Sequence, residues 1–341
     1  MMSRLSNFRF ANGASLLLIA GGLNIHAQMS APMVGFIAGQ GTDRNQILPI
    51  VGVLGSATVR GAIQLPNEVL HVHLAPAGSW ALIEQRGHAP ALMPMSGTTA
   101  GELQPIAGVL TNPMQVSFSP TGITAVMRFR TGAIQVVTGL DSSPTLAFQT
   151  EFTDPSGIYG LAVSDDGSAA LASTGSGAVY LLAKAAAPVL AYSGSRSMGL
   201  AFVPNQSTAV FADGGSGTVA LCRIAGSPTV QTLANVSLGG EVLVAASRDG
   251  SGAFVATVGS TTAYRIDLAS GATQSATLPT AATRLDRLRD GQSFVVSAAP
   301  GEPVWILTGN SSGMQTIFAA NPGVPSPISR RSIGKGGSNR E

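Results

Sequence analysis

Six times along the chain an alternating apolar segment runs into a tight polar turn and out into a second apolar segment. The copies open at Val72, Val116, Leu161, Leu200, Val244 and Leu285, and turn at Gly78, Gly122, Gly167, Gln206, Gly250 and Gly291. Alternation with a period of two is the mark of a β-strand. Pro120-Thr121-Gly122, Asp166-Gly167, Asp249-Gly250 and Asp290-Gly291 supply the restricted φ and the φ > 0 position that short β-loops need. Gln206 is the exception, and Asn205 is expected to take the left-handed position there. The turns recur about every 43 residues, the length of one four-stranded propeller blade.

Each repeat continues alike. The strand after the turn is apolar, as at 168–173 and 253–258. A second small-residue turn follows at Thr131-Gly132, Ser176-Gly177, Ser216-Gly217 and Pro300-Gly301, and then a third strand at 133–138, 178–183, 218–223 and 304–308. A more polar fourth strand, such as 273–278, suits an outer edge where solvent accepts Thr, Gln and Ser. The stretch before the first clear repeat is less regular. Residues 34–38 and 47–53 read as strands. Because 46–54 echoes 103–110, the outer strand of its own repeat, it is expected to be an outer strand as well. Residues 29–320 hold close to seven periods. The expected fold is therefore all-β, a seven-bladed β-propeller of six clear repeats plus an irregular N-terminal blade. Six blades with added N-terminal strands is the alternative. Closure is expected where the N-terminal segment joins the last blade, which removes exposed sheet edges.

Composition bears this out and narrows the class. Of 341 residues 45% are hydrophobic and 11% charged, so a large core is available and disorder is a poor reading. The 42 glycines fit many tight turns, and with only 5% aromatics the packing must rest on Val, Ala, Leu and Ile. The net charge of +2 comes from the ends: between residue 10 and residue 330 the chain has 13 basic and 16 acidic residues. A nucleic-acid partner has no electrostatic support. The single cysteine, Cys222, lies in an apolar strand and reads as a buried small hydrophobe. Residues 1–27 read as a secretory signal peptide: Arg4 and Arg9 precede an apolar run ending at Leu23, and Ile25-His26-Ala27 offers cleavage before Gln28. The run is too short to span a bilayer, so no transmembrane anchor is expected. This gives a propeller domain over 28–320, an extracytoplasmic (periplasmic or secreted) location, and a tail at 321–341 whose Pro, Ser, Gly and Arg content reads as disordered.

The repeats resemble those of YVTN-type bacterial propellers. Ala263-Tyr264-Arg265-Ile266-Asp267-Leu268-Ala269-Ser270-Gly271 is similar to their third-strand signature, and Ser164-Asp165-Asp166-Gly167 and Ser247-Arg248-Asp249-Gly250 to their first hairpin. The likeness covers about residues 66–320. It departs where the Tyr-Val-x-Asn signature of the second strand is absent, and the Gly-His and Trp-Asp pairs of WD40 repeats are missing too. The resemblance implies the propeller fold. Its members include surface-layer-like proteins and lactonase-like enzymes, so it leaves function open.

Propeller ligands usually sit at the channel mouth, where loops enter the innermost strands. Those loops carry Asn67, Glu68, Asn112, Asp154, Arg196, Glu241 and Arg284. The first six are the candidate ligand-binding residues. Oxygen ligands from several blades could hold a hard cation such as Ca²⁺, but Asn112-Pro113 and Asp154-Pro155 are also ordinary turn pairs, so no metal is assigned. His71 and His73 share a strand face with His88 close in sequence; without a fourth ligand they read as satisfied or channel-lining histidines rather than a zinc site. No nucleophile elbow, phosphate loop or dinucleotide fingerprint is present, and no cofactor is implied. The resulting expectation is an exported, non-catalytic binding or scaffolding module with a protein or carbohydrate ligand. The alternative is a lactonase-like or other hydrolase with a metal at the channel mouth.

Overall fold

The computed structural model describes residues 31–321 apart from 40–43, 67, 77, 196–197 and 300–301. The expected signal peptide at 1–27 and nearly all of the expected tail at 321–341 lie outside the described residues. The rest forms seven small antiparallel sheets in chain order, blades 1–7, at 33–64, 69–105, 115–151, 158–193, 198–235, 242–277 and 286–319. Blades 3–7 are four-stranded meanders that pair in sequence order. In blade 2 the fourth position is split between Thr99–Ala100 and Gln104–Pro105, both paired with Ala91–Ser96. The seven-bladed ring with one irregular N-terminal blade matches the period count.

The strand sequences follow from their place in a blade. In blade 4 the second strand, Ala169–Thr174, is buried at every position, because neighbouring blades cover both of its faces. Its residues, Ala-Ala-Leu-Ala-Ser-Thr, are mostly small for that reason. The outer strand of blade 5, Thr229–Asn235, has no buried position and carries Thr, Gln and Asn. The apolar core is divided among the blade interfaces. Trp80 and Leu82 of blade 2 pack on Met127 and Val137 of blade 3, while Val126 and Val136 on the other face of blade 3 pack on Leu161 and Leu182 of blade 4. The last interface joins Ile37, Ile50 and Val59 of blade 1 to Leu288, Val295 and Ile306 of blade 7.

Closure differs in detail from the sequence expectation. The N-terminal segment adds no strand to the last blade. It forms blade 1, with Gln46–Val51 held between the inner strand Met33–Ala38 and a broken third strand made of Thr58–Val59 and Ile63–Gln64. The 46–54 segment is thus a second strand and not an outer one. The echo of 103–110 does not extend to strand position: Gln46–Val51 has strands on both sides, whereas Gln104–Pro105 pairs only with Ala91–Ser96. The ring is closed by the packing of blade 7 on blade 1 and by one parallel bridge. Ala320, just past the outer strand of blade 7, donates its N–H to Ala57 O at 3.0 Å and accepts from Val59 N at 2.8 Å.

The recurring turns hold the conformation their sequences imply. Gly167 and Gly250 have φ of 67° and 69°, and Asn205 takes the same region at 54°. The Ser-x-Asp-Gly-Ser turns are braced identically. Asp166 Oδ1 accepts from Ser164 Oγ (2.6 Å) and Ser168 N (3.0 Å), and Asp249 Oδ1 accepts from Ser247 Oγ (2.6 Å) and Ser251 N (3.0 Å). Burial opposes ionisation of both carboxyls, but these hydrogen bonds outweigh it and hold them below the usual carboxylate range.

Gly167→Ala and Gly250→Ala both place a Cβ at φ > 0, which costs about 1–2 kcal/mol. The new Cβ at 167 also lands 2.2 Å from Thr138 Cγ2, while the nearest atoms at 250 are 3.2 Å away. Gly167→Ala is therefore expected to lose about 1 kcal/mol or more beyond Gly250→Ala in urea unfolding. Equal losses would contradict the packing described for blade 4.

Candidate functional site

The inner strands of all seven blades wall a cavity of about 330 Å³ on the ring axis. That size suits a small ligand, since such sites fall at about 300–1,000 Å³. The repeat explains the lining. The residues five positions before each of the six turns are His73, Ser117, Ala162, Ala201, Ala245 and Asp286, and all six face the cavity. Three alanines in this tier leave the space that larger side chains would fill. Blade 1 contributes Gly35, Phe36 and Ala38.

Charge enters almost wholly from one strand edge, Arg284-Leu285-Asp286-Arg287-Leu288-Arg289 of blade 7. Arg284 Nη2 pairs with Asp286 Oδ2. Arg287 reaches across the axis: Nη1 donates to Pro120 O in the blade 3 hairpin and Nη2 to Ala246 O in blade 6. Its guanidinium also lies 5.8 Å from the Phe294 ring centre. Burial pulls its pKa down to about 10, with Asp165 opposing and Arg248 adding to the effect, so it stays a cation at neutral pH. Arg289 donates to Gly78 O at 2.8 Å and sits over Phe36 at 5.7 Å. Guanidinium groups held on backbone carbonyls thus cross the hairpin end of the channel.

That end is fixed from outside by Asp165. Its Oδ1 accepts from Thr121 N (2.8 Å) and Thr121 Oγ1 (2.5 Å) of blade 3, and its Oδ2 accepts from Asn205 N (2.8 Å) of blade 5. One carboxylate in blade 4 therefore ties together three consecutive hairpins. Its position in an Asp-Asp-Gly turn carries no sequence mark of that role.

The sequence-derived candidates sit on the loops entering the inner strands. Asn67 and Arg196 lie outside the described residues. Glu68 and Glu241 are exposed. Asn112 is exposed at φ 55°, the left-handed region that Asn tolerates better than most residues. Asp154 Oδ1 accepts from Ser156 N (2.9 Å) and Ser156 Oγ (2.5 Å), bracing its own turn. None of these four lines the cavity, whereas Arg284 does. Of the histidines, His73 lines it and brings Nε2 to 2.5 Å from the buried Glu84 Oε1; His71 and His88 are exposed. Among the described residues no group of three or more His, Cys, Asp or Glu is placed to hold a metal ion. Cys222 is fully buried, and burial pushes its thiol up to about 11, the behaviour of an inert core residue.

At the mouth, the loop leading into blade 5 is anchored by Asp213. It accepts from Ser195 N (2.9 Å), Ser195 Oγ (2.7 Å), Gly215 N (2.9 Å) and Ser216 Oγ (2.9 Å). Burial would raise this carboxyl, but the four donors together hold it below the usual range.

No protein-family model matches this chain, and no curated protein does. Solved structures match through the fold. A functionally unknown protein from Desulfotomaculum acetoxidans is 15% identical with a TM-score of 0.54, over 84% of this chain and 99% of that one. A protein from Lactobacillus plantarum is 16% identical with a TM-score of 0.55, over 87% and 98%. At such identities the likeness concerns architecture alone. Among the described residues no helix is long and apolar enough to cross a membrane.

Two predictions follow from the carboxylates. Asp165→Ala leaves two backbone N–H groups and a hydroxyl without their acceptor and is expected to cost about 2–4 kcal/mol, read as the shift in unfolding midpoint. Asp165→Asn keeps one acceptor oxygen and should cost less. A group with a depressed folded-state pKa adds stability above its unfolded value, about 3.9 for Asp, and loses it as pH falls through the folded value. Asp213→Asn should therefore be less stable than the parent at pH 7, with the gap narrowing below about pH 4. A gap of constant size in urea titrations across that window would argue against the hydrogen-bonded carboxylate.

Proposed function

We propose that this chain is an exported propeller of the YVTN type that works as a non-catalytic binding module, with its ligand seated in the central cavity. The observation that carries this reading is the axial cavity itself, about 330 Å³ in volume, contributed by every blade and positively charged at its hairpin end. Most of its charged groups are tied to protein partners. Asp286 pairs with Arg284, Glu84 with His73, and Arg287 with two carbonyls. Groups committed in this way define a shape and a charge; a general base must instead be poised to take a proton from substrate. The YVTN assignment rests on the 263–271 strand and the Asp-Gly hairpins. Export rests on Arg4 and Arg9 ahead of the apolar run and on Ala27.

Two measurements test the proposal. Mass spectrometry of the protein from its producing cell should find a start near Gln28 in an extracytoplasmic fraction; an intact Met1 terminus in a cytoplasmic pool would overturn export. The purified protein should turn over no sugar lactone and retain no stoichiometric Ca²⁺ or Zn²⁺ after dialysis. Metal at one equivalent together with lactone hydrolysis would establish the hydrolase instead, with the mouth residues Glu68, Asp154 and Glu241 as the first to mutate.

A further inference from the structure

We infer that the ligand of the axial cavity carries a carboxylate group and that Arg284 receives it. The inference rests on the channel reading above and names its chemistry. Three arginines, Arg284, Arg287 and Arg289, line the cavity against one carboxylate, Asp286. The folded body as a whole has slightly more acidic than basic residues, so this positive excess is local. Field lines concentrate in a concave site with low-dielectric walls, and an anion gains most there.

The three arginines are not equivalent. Arg287 and Arg289 are held by carbonyl oxygens and aromatic faces, each with its Nε left unpaired among the described residues, and these contacts do not cancel their charge. They set a positive floor. Arg284 stands three residues before Arg287, in the segment that leads into the inner strand Asp286–Arg287. Its side chain is 15% exposed, and only Nη2 is spent, on Asp286. Its Nε and Nη1 are buried and have no hydrogen-bond partner among the described residues. Buried guanidinium donors of this kind are matched by a carboxylate oxygen, with which they form short charge-assisted bonds. Ala162, Ala201 and Ala245 leave room beside it for the body of the ligand, and Ser117 offers a hydroxyl in the same tier. Asp286 shapes the choice of anion. A singly charged carboxylate can share Arg284 with it, whereas a phosphate presses a second negative charge against it.

Calorimetric titration of the purified protein tests this with glucuronate and glucose, sugars of one ring size that differ in the carboxylate. Glucuronate should bind, weakening as salt is raised, and glucose should not. Arg284→Gln should weaken glucuronate binding roughly tenfold or more. Asp286→Asn should tighten it, a change of opposite sign that damage to the fold would not produce. Equal binding of the two sugars, or tighter binding of inorganic phosphate, overturns the carboxylate assignment and leaves the channel as the site. No binding of glucuronate or succinate at millimolar concentration overturns it too. Glucuronate binding that survives Ala245→Trp unchanged would place the site outside the channel, and both this inference and the reading beneath it would fall.

Discussion

A four-stranded blade has two apolar faces and no helical layer to cover either. Each blade here can bury its faces only against two neighbours, and the last must find the first. The whole architecture depends on that requirement. It accounts for strands such as Ala169–Thr174, buried at every position, and for a core shared out among the interfaces between successive blades. It also explains why the chain manages with few aromatic side chains. Most of the contact between blades is made by Ala, Val, Leu and Ile, and the few large rings are spent inside it, as where Phe254 of blade 6 meets Phe294 of blade 7 with ring centres 4.6 Å apart.

The repeat was legible because its turns carry a chemistry that packing cannot disguise. Asp-Gly and Pro-x-Gly mark positions of positive φ, and even the departure at Gln206 resolves through Asn205. Blade 1 was harder to place because it lacks those marks. Its strands differ from outer strands in burial, which depends on what lies beside them, and Ile47 or Ile50 looks no different in sequence from an exposed residue of the same kind. The closing bridge at Ala320 involves only backbone atoms and leaves no sequence trace at all.

The cavity was hidden for a related reason. Loop residues at a propeller mouth attract notice as charged or amide groups near Pro and Gly, and Asp154 and Asn112 turn out to hold loop shapes. Of the six cavity residues set five places before the turns, four are Ala or Ser, and small residues do not announce a site. Aligning the six copies on their turns would have exposed the tier, with Asp286 and His73 standing out among Ala and Ser. Arg287 would still have read as one more charge in a strand. Its role comes from carbonyls 167 and 41 residues away in sequence.

That crossing of the axis changes what kind of object the channel is. With a guanidinium anchored to blades 3, 6 and 7, a fixed positive charge lies across the hairpin end of the lumen. An anion that reaches this depth meets a charge that cannot move aside without breaking two hydrogen bonds to backbone carbonyls. At the other end Asp154 and Asp213 hold two of the entering loops by hydrogen bonds from serine side chains and backbone, so polar contacts set the shape of the lumen at both ends.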